Sequence, residues 1–389
     1  MDGTGGMTRG AGLPWAGGEY ELLRNQVRRF VEKEIKPHAD SWEEDGFIPR
    51  SVLRRMGELG FLGIQYPTEY GGAGMDAVAS TVFAEELGRS TYGGVAIATL
   101  VHTDMASVHV FNEGTKAQRA RWMPGIISGE VITAVAITEA DAGSDVKAIR
   151  TRARRDGQDY VLNGEKLYIT NGVYADLYCV AAKTDPAAGS HGISMFLVEK
   201  GTPGLKIARA LDKHGWRCSD TAELVFEDCR IPAENMLGVE GQGFYSIMGN
   251  FQNERLVLAA MAIGAAQAAI DMTLAWVRTR RAFGGVLWDM QAIRERLAML
   301  ATKVEAGRQF LYATAWRMAA GEDCIREVSM VKAFCGELAN EVMYTCVQFH
   351  GAMGFMRESP IERMARDARV LSIGGGATEV MLDVVASIS

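Results

Sequence analysis

One acid, Glu254, introduces a run from Leu256 to Ala266 that carries no charged or hydrogen-bonding side chain. The run sits inside a long helical pattern, Gly241 to Gly284, around which the rest of the chain must be organised. Gln267 and Asp271 interrupt it too soon for a bilayer span, which needs about 20 apolar residues. On that helix Glu254 shares a face with Leu258 and Met261, four and seven positions further on. A carboxyl facing apolar neighbours resists ionisation, and its pKa rises toward the range a general base needs. An arginine partner or an outward-facing position would accommodate the same acid.

Texture changes twice along the chain. Residues 1–18 are glycine-rich and read as a flexible tail. From Glu19, Leu23, Val27, Phe30 or Val31, and Ile35 recur at helical spacing until Pro37 closes the pattern. A second amphipathic unit, Val52 to Leu62, leads into a Pro- and Gly-containing loop over Tyr66 to Asp76, and helical texture resumes from Ala77 to about Gly129. Near Val131 β-branched residues take over. Asp156-Gly157 and Asn163-Gly164 both read as tight hairpin turns, and four further strand-like segments follow by Pro232. Helical periodicity returns at Gly241 and holds almost to Ser389, broken at Gly374 to Ala377. The expected α+β architecture is a tail (1–18), an α-helical domain (19–130), an antiparallel β domain of sandwich or barrel type (131–235), and a helical domain resembling a four-helix bundle (236–389).

Composition removes several classes of function. A net charge of −7 with no basic block argues against nucleic acid and anionic membrane surfaces as partners. The six cysteines form no CxxC pair and the six histidines lack metal-ligand spacing, so free thiols and no metal are expected. No basic segment leads into an apolar core near the start, and a cytoplasmic location is expected. There is neither GxGxxG after a strand nor GxxxxGK[ST], so no Rossmann or P-loop nucleotide site is predicted.

Three local patterns could hold a ligand. In ITEADAGSD, Thr138 and Ser144 offer hydroxyls and Gly143 admits a close approach to the backbone; Tyr168 and Thr170 lie one strand away. An ordinary polar turn has the same composition. GGGATE, Gly374 to Glu379, precedes the last helix, where unpaired N–H groups can hold an anion or a carbonyl oxygen. RTRRAFG, Arg278 to Gly284, clusters arginines around Phe283; such a cluster is either a solvated helix end or a pyrophosphate ligand.

Taken in order, ITEADAGSD, KLYITNG, EDCRIPAENMLG, GQGF, NERLVLAA, RRAFG, QFHGAMGF and RDARVLSIGGGATE resemble the acyl-CoA dehydrogenase family over nearly the whole chain from Glu19. The resemblance implies FAD as cofactor. Thr138, Gly143 and Ser144 would contact its isoalloxazine and ribityl portions, with Tyr168 and Thr170 on the far side. Arg280, Phe283, Gln291 and Gln348 would hold the pyrophosphate and adenine across a subunit boundary, and Glu379 would lie near the phosphates. Ser144 and Arg255 would also touch substrate. A homo-oligomer, tetramer or dimer, and an electron-transfer flavoprotein as acceptor are implied as partners.

The implied reaction is α,β-dehydrogenation of an acyl-CoA to the trans-2-enoyl-CoA. Most members of the family carry the base in the C-terminal loop, where this chain has Gly375. A minority, the long-chain and isovaleryl type, carry it in an xERL context, which NERLVLAA matches at Glu254. Gly375 would then contribute its backbone N–H to the thioester carbonyl. An acyl-CoA oxidase on the same fold, or an interaction protein that keeps the fold without the cofactor, are the alternatives.

Overall fold

The computed structural model describes residues 15–388, so residues 1–14 of the expected 1–18 tail lie outside the described residues. Trp15 already stacks on Tyr312 with ring centroids 6.5 Å apart, which ties the chain to the core before the first helix begins. The helices α1 (Glu19–Phe30), α2 (Ala39–Asp45), α3 (Arg50–Glu58), α4 (Ala77–Gly88), α5 (Gly93–Leu100), α6 (Ser107–Glu113) and α7 (Lys116–Ser128) form the first part. Two π-helical turns interrupt this series, Val31–Ile35 after α1 and Val101–Ala106 between α5 and α6. Asp76 caps α4 by accepting from the N–H groups of Val78 and Ala79, and Thr115 with Gln118 forms a capping box on α7.

The middle part is a sheet of β1 (Thr133–Ala136), β2 (Arg152–Asp156), β3 (Asp159–Thr170), β4 (Leu177–Lys183), β5 (Ile193–Glu199), β6 (Leu205–Ala210), β7 (Thr221–Pro232) and β8 (Met236–Leu237). The strands run β6-β7-β3-β2-β4-β5-β8, with β1 beside β4. Most neighbours are antiparallel, but β1 and β4 pair in parallel, as do β2 and β4 at one point. The sheet is therefore mixed rather than purely antiparallel.

The two Asx-Gly dipeptides part company. Asp156-Gly157 is the hairpin turn joining β2 to β3. Asn163-Gly164 is not a turn: both residues lie inside β3, where the register against β7 slips between Leu162 and Gly164. A Cβ on Gly164 would come within 2.6 Å of Thr151, so glycine is required here by a β-bulge at close backbone approach.

The last part comprises α8 (Gly243–Thr279), α9 (Gln291–Ala319), α10 (Ile325–His350), α11 (Pro360–Ala368) and α12 (Thr378–Ile388). Between α8 and α9 a small hairpin pairs β9 (Arg281–Ala282) with β10 (Gly285–Val286). The apolar run is the core of α8, and Leu256 to Ile263 are all buried against α4, α9 and α10. Gly264 on α8 lies against the backbone of Glu85, and Gly88 on α4 against that of Met261. Any side chain at either glycine would force these two helices apart. Gln267 and Asp271 do not shorten α8 as expected: at 37 residues it is long and apolar enough to cross a membrane, as is Gly93–Glu113, but their most apolar windows are 78% and 94% buried inside the protein. Both are core helices. The six cysteines are free and buried.

A buried ionic cluster joins α1, α4 and α9. Arg24 donates to Glu85 (3.1 Å), Glu86 (2.8 Å) and the Tyr312 hydroxyl (2.6 Å); Tyr312 and Arg308 in turn donate to Glu85 at 2.6 and 2.9 Å. Burial alone would raise the pKa of Glu85, but Arg24, Arg308 and the Tyr312 hydroxyl overcome it and hold the carboxyl at about 2.

Candidate active site

The carboxyl of Glu254 is buried on α8, only 7% exposed, as its apolar setting predicted. Burial drives its pKa up to about 7; a hydrogen bond from Asn250 and the charge of Arg255 act against the rise, and Asp104 adds to it. Asn250, one helical turn earlier, donates from Nδ2 to Glu254 Oε1 at 2.9 Å. Leu258, one turn later, touches the glycine loop: a Cβ on Gly375 would collide with Leu258 Cδ1. The acid and the side-chain-free loop position thus meet across one leucine, although they lie on separate elements far apart in sequence. Gly375 has φ +63°, and Gly376 has φ +101° with its Cα facing the Arg255 guanidinium. Lys332 on α10, itself buried, donates its Nζ to the Gly376 carbonyl and so fastens the loop from below.

The π-helical turn Val101–Ala106 connects this acid to the sheet. His102 accepts from the Thr133 backbone N–H at 3.2 Å at the start of β1, and its other ring nitrogen bonds the Ile126 carbonyl at 3.0 Å. Asn250 reaches the carbonyls of Asp104 and Met105, both at 3.2 Å, from the opposite side. Beyond β1 the chain forms the Thr138–Ser144 turn. Leu167 donates its N–H to the Thr138 carbonyl at 2.9 Å, which sets Tyr168 of β3 beside the turn. Tyr168 takes φ +61° and leaves its ring 65% exposed. Thr138 and Thr170 are half-buried, and Gly143 and Ser144 are exposed.

An ion pair not expected from sequence supports this rim. Lys166 is fully buried and donates to Glu139 Oε1 at 2.7 Å and to the Ile137 carbonyl at 2.9 Å. Glu139 also accepts from the N–H groups of Arg150 and Thr151. The acid inside ITEADAGSD therefore braces the turn, with Thr138 half-buried and Ser144 exposed.

A third group assembles at the far end of α8. The Arg280 guanidinium lies 5.7 Å from the Trp276 ring, and Trp276 donates to the Phe349 carbonyl, next to Gln348. Phe283, at the tip of the β9–β10 hairpin, is 95% exposed. Gln291 and Glu379 are exposed at the starts of α9 and α12, and Gln291 donates to Glu295 at 2.6 Å. Among the described residues no hydrogen bond or ion pair links this group to the Thr138–Ser144 rim.

A cavity of about 350 Å³ is lined by Gln65, Val108, Phe111, Gly249, Asn250 and Asn253 among others; it reaches the Asn250 that bonds Glu254, while Glu254 itself is not in its wall. Ala259, Ala260 and Ala262 are buried in the packing of α8. Asn250, Asp104 and Lys332 were not foreseen. The available signals were the spacing of Asn250 four residues before Glu254, and Asp104 as the one acid in the apolar stretch from Val95 to Val110.

Three family models match most of the chain: acyl-CoA dehydrogenase N-terminal domain over residues 18–130, middle domain over 134–229 and C-terminal domain over 241–388. The mouse long-chain specific acyl-CoA dehydrogenase is 40% identical over 380 residues, covering 95% of this chain and 86% of the relative. A rice isovaleryl-CoA dehydrogenase is 38% identical over 362 residues, covering 92% and 88%. A crystal structure of a probable acyl-CoA dehydrogenase from Mycobacterium abscessus superposes with a TM-score of 0.93 at 42% identity, covering 96% of this chain and 99% of that one.

Proposed function

Because the chain belongs to the acyl-CoA dehydrogenase family, whose members carry out FAD-dependent dehydrogenation of acyl-CoA thioesters, we propose that Glu254 is the base that removes the α-proton. One observation carries this reading: a buried carboxyl and the glycine of the C-terminal loop meet across Leu258, so the loop has no side chain to compete for the proton. A group held near pH 7 is matched to proton abstraction at neutral pH.

The residues present fit a flavin dinucleotide. Tyr168 offers an exposed aromatic face, and among the described residues nothing bonds the hydroxyls of Thr138 and Ser144 beside it. Arg280 likewise has no carboxylate partner among the described residues, which leaves its charge available to a pyrophosphate. Thr138, Gly143, Ser144, Tyr168 and Thr170 would hold the flavin portion, and Arg280, Phe283, Gln291, Gln348 and Glu379 the remainder. Bound there, FAD supplies the hydride acceptor for the β-carbon. The chain's own work is at the α-carbon. Gly375 offers its N–H to the thioester carbonyl, which makes the α-proton acidic enough for a carboxylate to remove. Glu254 takes that proton from its buried position on α8, one turn before Leu258. Arg255, beside Gly376, faces the same loop and is placed to bind substrate together with Ser144.

The substrate is assigned as a medium-to-long or branched acyl-CoA, and the electron acceptor as an electron-transfer flavoprotein. Anaerobic titration with straight and branched acyl-CoAs should bleach the flavin stoichiometrically for the matching chain. The rate should rise about tenfold per pH unit up to about pH 7 and level above it, since only the ionised base accepts a proton. A rate that falls as pH rises through 7 would remove Glu254 from this role. Rapid peroxide formation in air would make the protein an oxidase instead.

Assembly follows from the same surfaces. Tyr344, Phe355 and Phe283 are 76%, 80% and 95% exposed on α10, the turn after it and the β9–β10 hairpin. Apolar side chains this exposed suit an interface between copies, and Arg280 and Phe283 would then reach the partner's cofactor. Light scattering should give two or four times the 42.3 kDa of one chain. A mass of one chain would contradict the shared site.

A further inference from the structure

Two buried groups near Glu254 have no role in the reaction as described above. Asn250 is 5% exposed, and its Nδ2 faces three acceptors at once: Glu254 Oε1 at 2.9 Å and the carbonyls of Asp104 and Met105 at 3.2 Å. Its orientation is dictated by this geometry, because a reversed amide would set its oxygen against two carbonyls and a carboxylate. The orientation leaves Asn250 Oδ1 buried with no partner, a cost accepted only where the amide's other end is needed. Asp104 is 2% exposed, and three side chains hold its carboxyl: the Thr103 hydroxyl at 2.5 Å, Asn253 at 3.3 Å and Gln65 at 3.3 Å. Among the described residues no cation pairs with it, and Asn250, which bonds both the Asp104 carbonyl and the Glu254 carboxylate, sets this second buried carboxyl near the base.

We propose that Asn250 and Asp104 are positioning residues for Glu254, the amide tying the base's carboxylate to the backbone of the π-helical turn and the Asp104 carboxyl acting on it as a second buried charge. The inference rests on Glu254 being the base. Their actions are opposed. A donor to the carboxylate favours its ionised form, while a neighbouring negative charge disfavours it. Asn250 lowers and Asp104 raises the proton affinity of Glu254, and Asp104, itself raised by burial to about 6, titrates in the same range. The other charged group facing Glu254 is Arg255 on its own helix, which in turn faces Lys332 of α10. His109 on α6 is buried, neutral near pH 7 and turned toward Ser246.

The test uses the FAD-loaded enzyme and two variants. Asp104→Asn keeps the bonds to Gln65 and Asn253 and turns an N–H toward the Thr103 hydroxyl, so the fold is retained. Asn250→Leu removes the donor at similar volume. Two midpoints are measured: the pH at which acyl-CoA reduces the flavin at half its limiting rate, and the carboxyl titration of Glu254. The latter is read by infrared difference spectroscopy with ¹³C-labelled glutamate and identified by its absence from Glu254→Gln. Asp104→Asn should lower both midpoints and Asn250→Leu should raise both, each by about one pH unit. Unmoved midpoints, or movement of both variants in one direction, would overturn the proposal. If Asn250→Leu does not fold, Asp104→Asn decides alone. If the infrared midpoint moves as stated and the flavin-reduction midpoint does not, the coupling stands and the assignment of Glu254 as base fails.

Discussion

Exchange of Glu254 for glutamine should leave a yellow protein that acyl-CoA no longer bleaches. Glutamine matches the volume of glutamate and keeps an oxygen to accept from Asn250, so packing around Leu258 and Gly375 is preserved. Neither Thr138 and Ser144 nor Arg280 and Gln348 depend on the carboxylate, so FAD content should equal that of the unaltered protein. What is lost is the base. General base catalysis contributes about 10²–10⁴-fold, and the rate of flavin reduction should fall by that amount. No neighbouring group can take over: Gly375 has no side chain, and Asp104 is enclosed by Thr103, Asn253 and Gln65. A stopped-flow record of flavin absorbance under anaerobic conditions reads the loss directly. Reduction at the unaltered rate would remove Glu254 from the chemistry.

The largest effect on stability is expected far from the site, at Glu85. Its carboxyl is 1% exposed and neutralises Arg24, itself buried, and Arg308. Glu85→Ala removes the anion and leaves Arg24 with Glu86 and, at 3.7 Å, Glu21, and a broken buried pair of this kind costs about 3–5 kcal/mol. The denaturation midpoint should drop accordingly, whereas Glu32→Ala, which breaks the exposed pair with Lys36, should scarcely move it. The same group predicts an acid limb. A carboxyl at about 2 when folded, against an ordinary value of 4.5, contributes stability that is fully present above 4.5 and lost as pH falls toward 2. By that linkage the contribution is about 3 kcal/mol. Glu85→Ala should therefore show a flatter loss of stability with acid than the unaltered protein; an equally steep one would mean that the cluster carries no net stabilisation.

Features set by neighbouring residues could be read without coordinates. The Asp156-Gly157 turn, the start of α1 at Glu19 and the glycine break before α12 all follow from local rules, as does the burial of Glu254 in an apolar helix. Features set by distant segments could not. Asn163-Gly164 has the same turn chemistry as Asp156-Gly157, yet becomes a bulge because β3 continues past it against β7 and Thr151 lies over Gly164. The parallel pairing of β1 with β4 depends on a connection that crosses two intervening strands. The same limit applies at the site. Glu254 was visible because its own helix surrounds it, and Gly375 through resemblance to a family. Asp104, Lys332 and the Glu139–Lys166 brace became visible only when three elements closed on each of them.

The base itself can be tested apart from hydride transfer. An acyl-CoA whose β-carbon carries no transferable hydrogen still presents an α-proton to the site. In deuterium oxide the enzyme should exchange that proton for deuterium, followed by mass spectrometry of the recovered thioester, and Glu254→Gln should exchange no faster than buffer. Deuterium incorporation at the same rate in Glu254→Gln and in the unaltered enzyme would show that another group removes the proton.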